Sequence, residues 1–120
     1  MTTFVQKLAA LATAPLLALA VTGAAQAHAE LKTSTPAANA TVASPASLTL
    51  SFTESLTPKF SSATLTKADG SAVAAKSTAS GKTVTTTPAA ALTPGVYRVM
   101  WAVVASDGHK SSDNYSFTVK

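Results

Sequence analysis

Apolar residues are distributed along this chain in two regimes. Leu8 to Val21, LAALATAPLLALAV, is almost unbroken. Past residue 28 nothing has a helical pattern; short stretches of Thr, Ser, Val and Ala are broken by Pro, Gly, Asn and Asp, which predicts strands joined by turns. Ser47–Glu54, SLTLSFTE, alternates cleanly, with Leu48, Leu50 and Phe52 on one face and Glu54 continuing their parity. Ala63–Lys67 predicts a second strand, Asp69-Gly70 a hairpin turn, and Ala72–Lys76 the return strand. Lys82–Thr87 is rich in β-branched residues, and Pro94-Gly95 marks a turn. Val96–Ala105, VYRVMWAVVA, is the most apolar of these segments. Its two apolar faces predict a central strand buried on both sides. Asp107-Gly108 ends it, and Asn114–Lys120 closes the domain with Tyr115, Phe117 and Val119 on one side. The sum is an all-β domain of about seven strands in a two-sheet antiparallel sandwich.

The leading apolar run has a separate meaning. Lys7 precedes it, and Gly23-Ala24-Ala25-Gln26-Ala27 follows with small residues where a signal peptidase reads. This is the A-x-A pattern of a secretory signal peptide cleaved after Ala27. A membrane anchor is the weaker reading, because Pro15 interrupts the run and a span needs ~20 apolar residues. The expected organisation is therefore a signal peptide over residues 1–27 and one domain over residues 28–120, a mature chain of 93 residues (120 minus 27). Losing Lys7 leaves eight of the nine cationic side chains against five carboxylates. The lysines stand singly, which describes a solvated surface and not the clustered basic face of a nucleic-acid binder. There is no cysteine. The core must hold by packing alone, and thiolate nucleophiles and thiolate metal sites are excluded.

Two histidines remain as candidates for chemistry. Export makes His28 the first residue, so its α-amine and ring nitrogen can close a chelate on one metal ion. Both titrate near enough to neutrality, about 8 and about 6.5, to be deprotonated cheaply. A frayed first residue with no such role is the alternative. His109 lies in Ser106-Asp107-Gly108-His109. In an extended segment Asp107 and His109, two apart, face the same side and make half of a metal site. An Asp-Gly turn followed by a surface histidine reads equally from these residues. Glu54, at the end of an alternating strand and directed inward by parity, needs a partner. It can accept a hydrogen bond from the terminal amine, ligate a metal, or pair with a lysine.

Taken together, these features resemble the CopC family of periplasmic copper-binding proteins. The resemblance spans the mature chain: the A-x-A site before His28, the Ser34-Thr35-Pro36-Ala37 turn, LTLSFTESL with Glu54, Pro94-Gly95-Val96-Tyr97-Arg98-Val99, Trp101, Ser106-Asp107-Gly108-His109 and Tyr115-Ser116-Phe117-Thr118-Val119. It implies a Greek-key β-sandwich of cupredoxin-like or immunoglobulin-like type. It also implies one copper(II) ion per chain, held by His28, Asp107 and His109 with Glu54 as a nearby or weak ligand. The function implied is to sequester or deliver copper in the periplasm, in copper homeostasis or resistance. The protein is then expected to be a monomer without catalytic residues, with an inner-membrane copper transporter as candidate partner. Some family members carry a methionine-rich copper(I) site. Here Lys67–Thr83 has neither methionine nor histidine, and Lys110 and Asn114 stand where proline and glycine are expected.

Two rival readings are open. A terminal histidine chelate also holds copper in lytic polysaccharide monooxygenases. This chain has one Trp and few aromatic residues to stack on sugars. A metal-free immunoglobulin-like assembly domain is the other rival. Copper binding at equal molarity separates the last from the rest, and copper-dependent oxidation separates the enzyme.

Overall fold

The computed structural model describes residues 29–120; residues 1–28, with the expected signal segment and His28, lie outside the described residues. The described residues form nine strands: β1 (Leu31–Thr35), β2 (Thr41–Val42), β3 (Leu48–Phe52), β4 (Ser62–Lys67), β5 (Ala72–Val73), β6 (Ala75–Ser80), β7 (Thr83–Pro88), β8 (Gly95–Val104) and β9 (Lys110–Val119). They build two sheets, one of order β1-β3-β7-β6 and one of order β2-β9-β8-β4-β5. The pairings of β3 with β7 and of β4 with β8 join strands distant in sequence, as in a Greek key. All pairs are antiparallel except β2 with β9.

The period-two pattern explains which side chains meet inside. Leu48, Leu50 and Phe52 of β3 and Val84 of β7 come from one sheet. Leu65 of β4, Tyr97, Val99, Trp101 and Val103 of β8, and Phe117 and Val119 of β9 come from the other. Phe52 and Trp101 meet edge to face with ring centroids 5.0 Å apart, and Tyr97 stacks on Phe117 at 5.8 Å.

Several expectations are corrected. Val96–Ala105 is central in its sheet but buried on one face only: Val96 and Met100 are 47% and 42% exposed on the outer side. Its hydrophobicity reflects β propensity as much as burial. The strand predicted over Ala72–Lys76 divides. Asp69-Gly70 does turn β4 back onto β5, with Gly70 at φ +89° and the Asp69 carboxylate accepting from the Ser71 amide and hydroxyl. After Val73 the chain then crosses to the other sheet, where Lys76 lies in β6 paired with β7. The strand predicted over Ser47–Glu54 ends at Phe52. A bend at Thr53 and Glu54 breaks the parity, so Glu54 is exposed and not directed into the interior. The closing strand begins at Lys110, earlier than Asn114.

The alternation along β8 makes adjacent residues unequal. Trp101→Ala should cost about 3–5 kcal/mol in urea unfolding followed by circular dichroism. Met100→Ala should stay within about 0.5 kcal/mol. Comparable losses at both positions would mean that the outer face is covered.

Candidate metal centre

A tight turn joins β8 to β9. The last ladder pair is Val104 with Lys110. The Ala105 N–H then donates to the His109 carbonyl at 2.9 Å, and the Gly108 N–H to the Ala105 carbonyl at 2.8 Å. Three residues, Ser106, Asp107 and Gly108, form the tip. Gly108 has φ +95°, the left-handed position that a three-residue hairpin requires and that glycine occupies without steric cost. The root is fixed from the side: the Ser106 N–H donates to the Ser55 carbonyl at 2.9 Å and the Thr57 N–H to the Val104 carbonyl at 2.7 Å.

This turn brings Asp107 and His109 together. Asp107 Oδ1 accepts the His109 backbone N–H at 3.1 Å and lies 3.1 Å from His109 Nδ1. The two residues meet because the carboxylate caps its own turn, not because they share the side of an extended strand. An ionised carboxylate only accepts, so the proton of that ring contact sits on Nδ1. The lone pair of Nε2 and the second carboxylate oxygen are left as donors. Both side chains are open to an ion, at 59% and 48% exposure for His109 and Asp107. The hydrogen bonds from the His109 backbone and then from its ring hold the Asp107 carboxyl below the usual carboxylate range.

The other candidates are placed differently. Among the described residues no group of three or more metal-ligating side chains comes together, so Asp107 and His109 supply a pair. Glu54 is exposed at the bend after β3. His28 lies outside the described residues, but its neighbour is firmly held. Ala29 is fully buried, and its carbonyl accepts the Ser111 hydroxyl at 2.6 Å. The Glu30 N–H donates to Thr53 Oγ1 at 3.0 Å, and the Thr53 N–H returns a bond to the Glu30 carbonyl at 2.9 Å. Nothing in the sequence distinguished Ser111 and Thr53 from the many other hydroxyl side chains.

Comparison with known proteins gives a consistent result. A family model described as the CopC domain matches residues 31–120. The chain is 40% identical over 114 residues to copper resistance protein C of Escherichia coli, covering 87% of this chain and 90% of that one. It is 45% identical over 103 residues to copper resistance protein C of Xanthomonas campestris pv. juglandis, covering 78% and 81%. The crystal structure of PcoC, a methionine-rich copper resistance protein from Escherichia coli, superposes with a TM-score of 0.73 at 44% identity, covering 78% of this chain and all of that one.

The depressed Asp107 carboxyl gives a testable pH dependence. Its folded value lies below its unfolded one, so the ionised form is favoured. The attached stabilisation is present above the unfolded value and is lost as pH falls through the folded one. Carbon-detected NMR titration of the metal-free protein should place the Asp107 midpoint below that of an unstructured aspartate. His109→Ala should move it upward, and an unchanged midpoint would mean that the ring contact is not formed in solution.

Proposed function

The chain belongs to the CopC family of copper resistance proteins, and from that premise we infer that it is a periplasmic copper(II)-binding protein whose ion is held by His28, Asp107 and His109. Cleavage after Ala27 exposes the His28 amine, which closes a chelate with its own ring. His109 contributes Nε2 and Asp107 its second carboxylate oxygen. This set of amine, imidazole and carboxylate donors suits a tetragonal copper(II) ion, the top of the divalent affinity order. Glu54 follows Thr53, whose hydroxyl accepts the Glu30 N–H. It accepts a hydrogen bond from the terminal amine or acts as a weak ligand.

The observation that carries this reading is the placement of Ala29. Its carbonyl is bound by Ser111, two residues beyond His109. One peptide step from Ala29 to His28 is ~3.8 Å, and two residues of strand are roughly 7 Å. Ala29, the residue that follows His28, is thereby held against the strand that begins just after His109. The pair Asp107–His109 alone makes a poor site, and a terminal chelate completes it.

The protein sequesters copper or hands it on, with an inner-membrane copper transporter as candidate recipient, and it works as a monomer. No catalytic role is assigned to any residue. Soft ligands are sparse. Lys67–Thr83 holds neither methionine nor histidine, and Met100 stands on the outer face of β8. The site should therefore prefer copper(II) to copper(I) by a wide margin.

Competition titrations with chelators specific for each oxidation state test this. The mature protein should bind one copper(II) ion and lose more than about tenfold in affinity on His28→Ala or His109→Ala, ~1.4 kcal/mol each. Asp107→Ala should also weaken binding. All three variants should keep the wild-type circular dichroism, since the turn lies outside the core. Glu54→Gln should cost less than any of them. Binding should fade on acidification as protons take the imidazole and amine nitrogens, while Asp107 stays ionised. Tight copper(I) binding would reveal a soft site. Copper-loaded protein given a reductant and polysaccharide should release no oxidised sugar above free copper; protein-dependent product would favour the enzyme.

A further inference from the structure

A groove of about 680 Å³ opens where β8 and β9 run toward the Asp107–His109 turn, and its lining is mostly apolar. Its floor is formed by two ladder pairs, Ala102 with Ser112 and Val104 with Lys110. Alternation turns Ala102 and Val104 outward, because Val103 between them is buried in the core. Phe60 also lines the groove and is 63% exposed, more than any other large hydrophobic side chain among the described residues. The ring is not exposed through looseness of the backbone. Phe60 ends the short 3-10 turn Pro58–Phe60, and the residues on both sides of that turn are tied to Val104. The Thr57 N–H donates to the Val104 carbonyl at 2.7 Å, and the Val104 N–H donates to Ser61 Oγ at 3.0 Å. Two cations accompany the ring. Lys59 Nζ lies over it, 5.9 Å from the centroid, and Lys110 lines the groove. No carboxylate is in the lining. Asp107 and Asp113 stand three residues to either side of Lys110, but Asp107 is engaged by His109 and Asp113 accepts the Asn114 N–H. Among the described residues neither Lys59 nor Lys110 is paired with a carboxylate.

We propose that this groove docks a segment of a partner protein that carries apolar side chains flanked by carboxylates. Apolar side chains of the partner cover Phe60, Ala102 and Val104, which releases water from all of them. Its carboxylates meet the two unpaired ammonium groups, which steer the encounter and fix the register. A ring already held in place loses little freedom on binding, and such rigid aromatic anchors dominate interfaces. A second copy of this chain is the poorer occupant, because a two-fold contact centred on the groove sets its lysines against themselves. An anionic bilayer takes the ring and the lysines but leaves the groove unfilled. The Val104–Lys110 pair is the last before the turn, so a segment seated here lies beside Asp107 and His109. The docking surface itself needs no metal at that turn.

The test uses the mature protein, metal-free and labelled with nitrogen-15, titrated with two blocked peptides, Glu-Leu-Phe-Glu-Leu-Glu and Lys-Leu-Phe-Lys-Leu-Lys. The acidic peptide should shift the amides of Phe60, Ala102, Val104, Lys110 and Ser112, and should bind more tightly than the basic one by at least about tenfold. Added salt should narrow that gap. Phe60→Ala should weaken the acidic peptide by about tenfold or more, as loss of an aromatic anchor does. The same variant should keep wild-type copper(II) affinity, so failure of the docking surface and failure of the metal site are read separately. Lys59→Glu with Lys110→Glu should reverse the preference toward the basic peptide. Equal binding of the two peptides, shifts located elsewhere, or no binding at millimolar peptide would overturn the proposal. So would Phe60-dependent sedimentation with phosphatidylglycerol vesicles in the absence of peptide binding, which would assign the ring to a membrane. A Phe60-dependent dimer in analytical ultracentrifugation would assign the groove to a second copy and overturn it equally.

Discussion

With no cysteine in the chain, no disulfide joins the two sheets, and the contact between Phe52 and Trp101 is the main packing contact at the end that carries the Asp107–His109 turn. Phe52 is the last residue of β3, and Trp101 lies in β8. Their rings meet edge to face, 5.0 Å apart at 74°, both almost fully buried. Burial of two large aromatic side chains is among the largest single contributions a small core can make. This pair also sets where the backbone goes next. Immediately after Phe52 the chain bends, and Thr53 turns its amide and hydroxyl to Glu30. Beyond Trp101, β8 continues to the Asp107–His109 turn. The spacing of the sheets at this end therefore fixes both anchors of the residues adjoining His28.

On that frame the polar groups are arranged by short-range rules. Gly108 takes the left-handed position of a three-residue hairpin, and Asp107 caps the turn through the His109 amide. The same carboxylate oxygen meets the ring of His109. A carboxylate hydrogen-bonded to an imidazole nitrogen fixes the ring orientation, a device common around bound metals. Here it presents the opposite ring nitrogen outward. The turn pairs a carboxylate and an imidazole from residues local in sequence.

Much of the architecture was legible in the sequence because alternation and turn chemistry are local signals. The inward face of Leu48, Leu50 and Phe52, the Asp69-Gly70 turn and the Tyr115-Phe117-Val119 face all read correctly. Failures occurred where tertiary context decides. Val96–Ala105 looks buried on both faces by composition, yet only one face is covered. The crossing after Val73 carries no local mark, and β1 and β2 are short and polar, so neither was foreseen. Glu54 obeyed the parity of its strand on paper, but the strand ends two residues before it. Of the candidate centre, Asp107 and His109 were visible as a motif. Ser111 and Thr53 were not, because a serine or threonine that holds a distant carbonyl or amide looks like any other in a chain rich in both.

The central claim is that the free amine of His28 is itself a copper(II) ligand. Leaving one extra glycine before His28 displaces that amine while keeping every side chain. The direct measurement is copper(II) affinity of this extended protein against the authentic terminus, at one pH and ionic strength. The account predicts at least about a tenfold loss, ~1.4 kcal/mol, with the metal-free fold unchanged. Equal affinities would contradict it, because a site indifferent to the position of the amine does not use it.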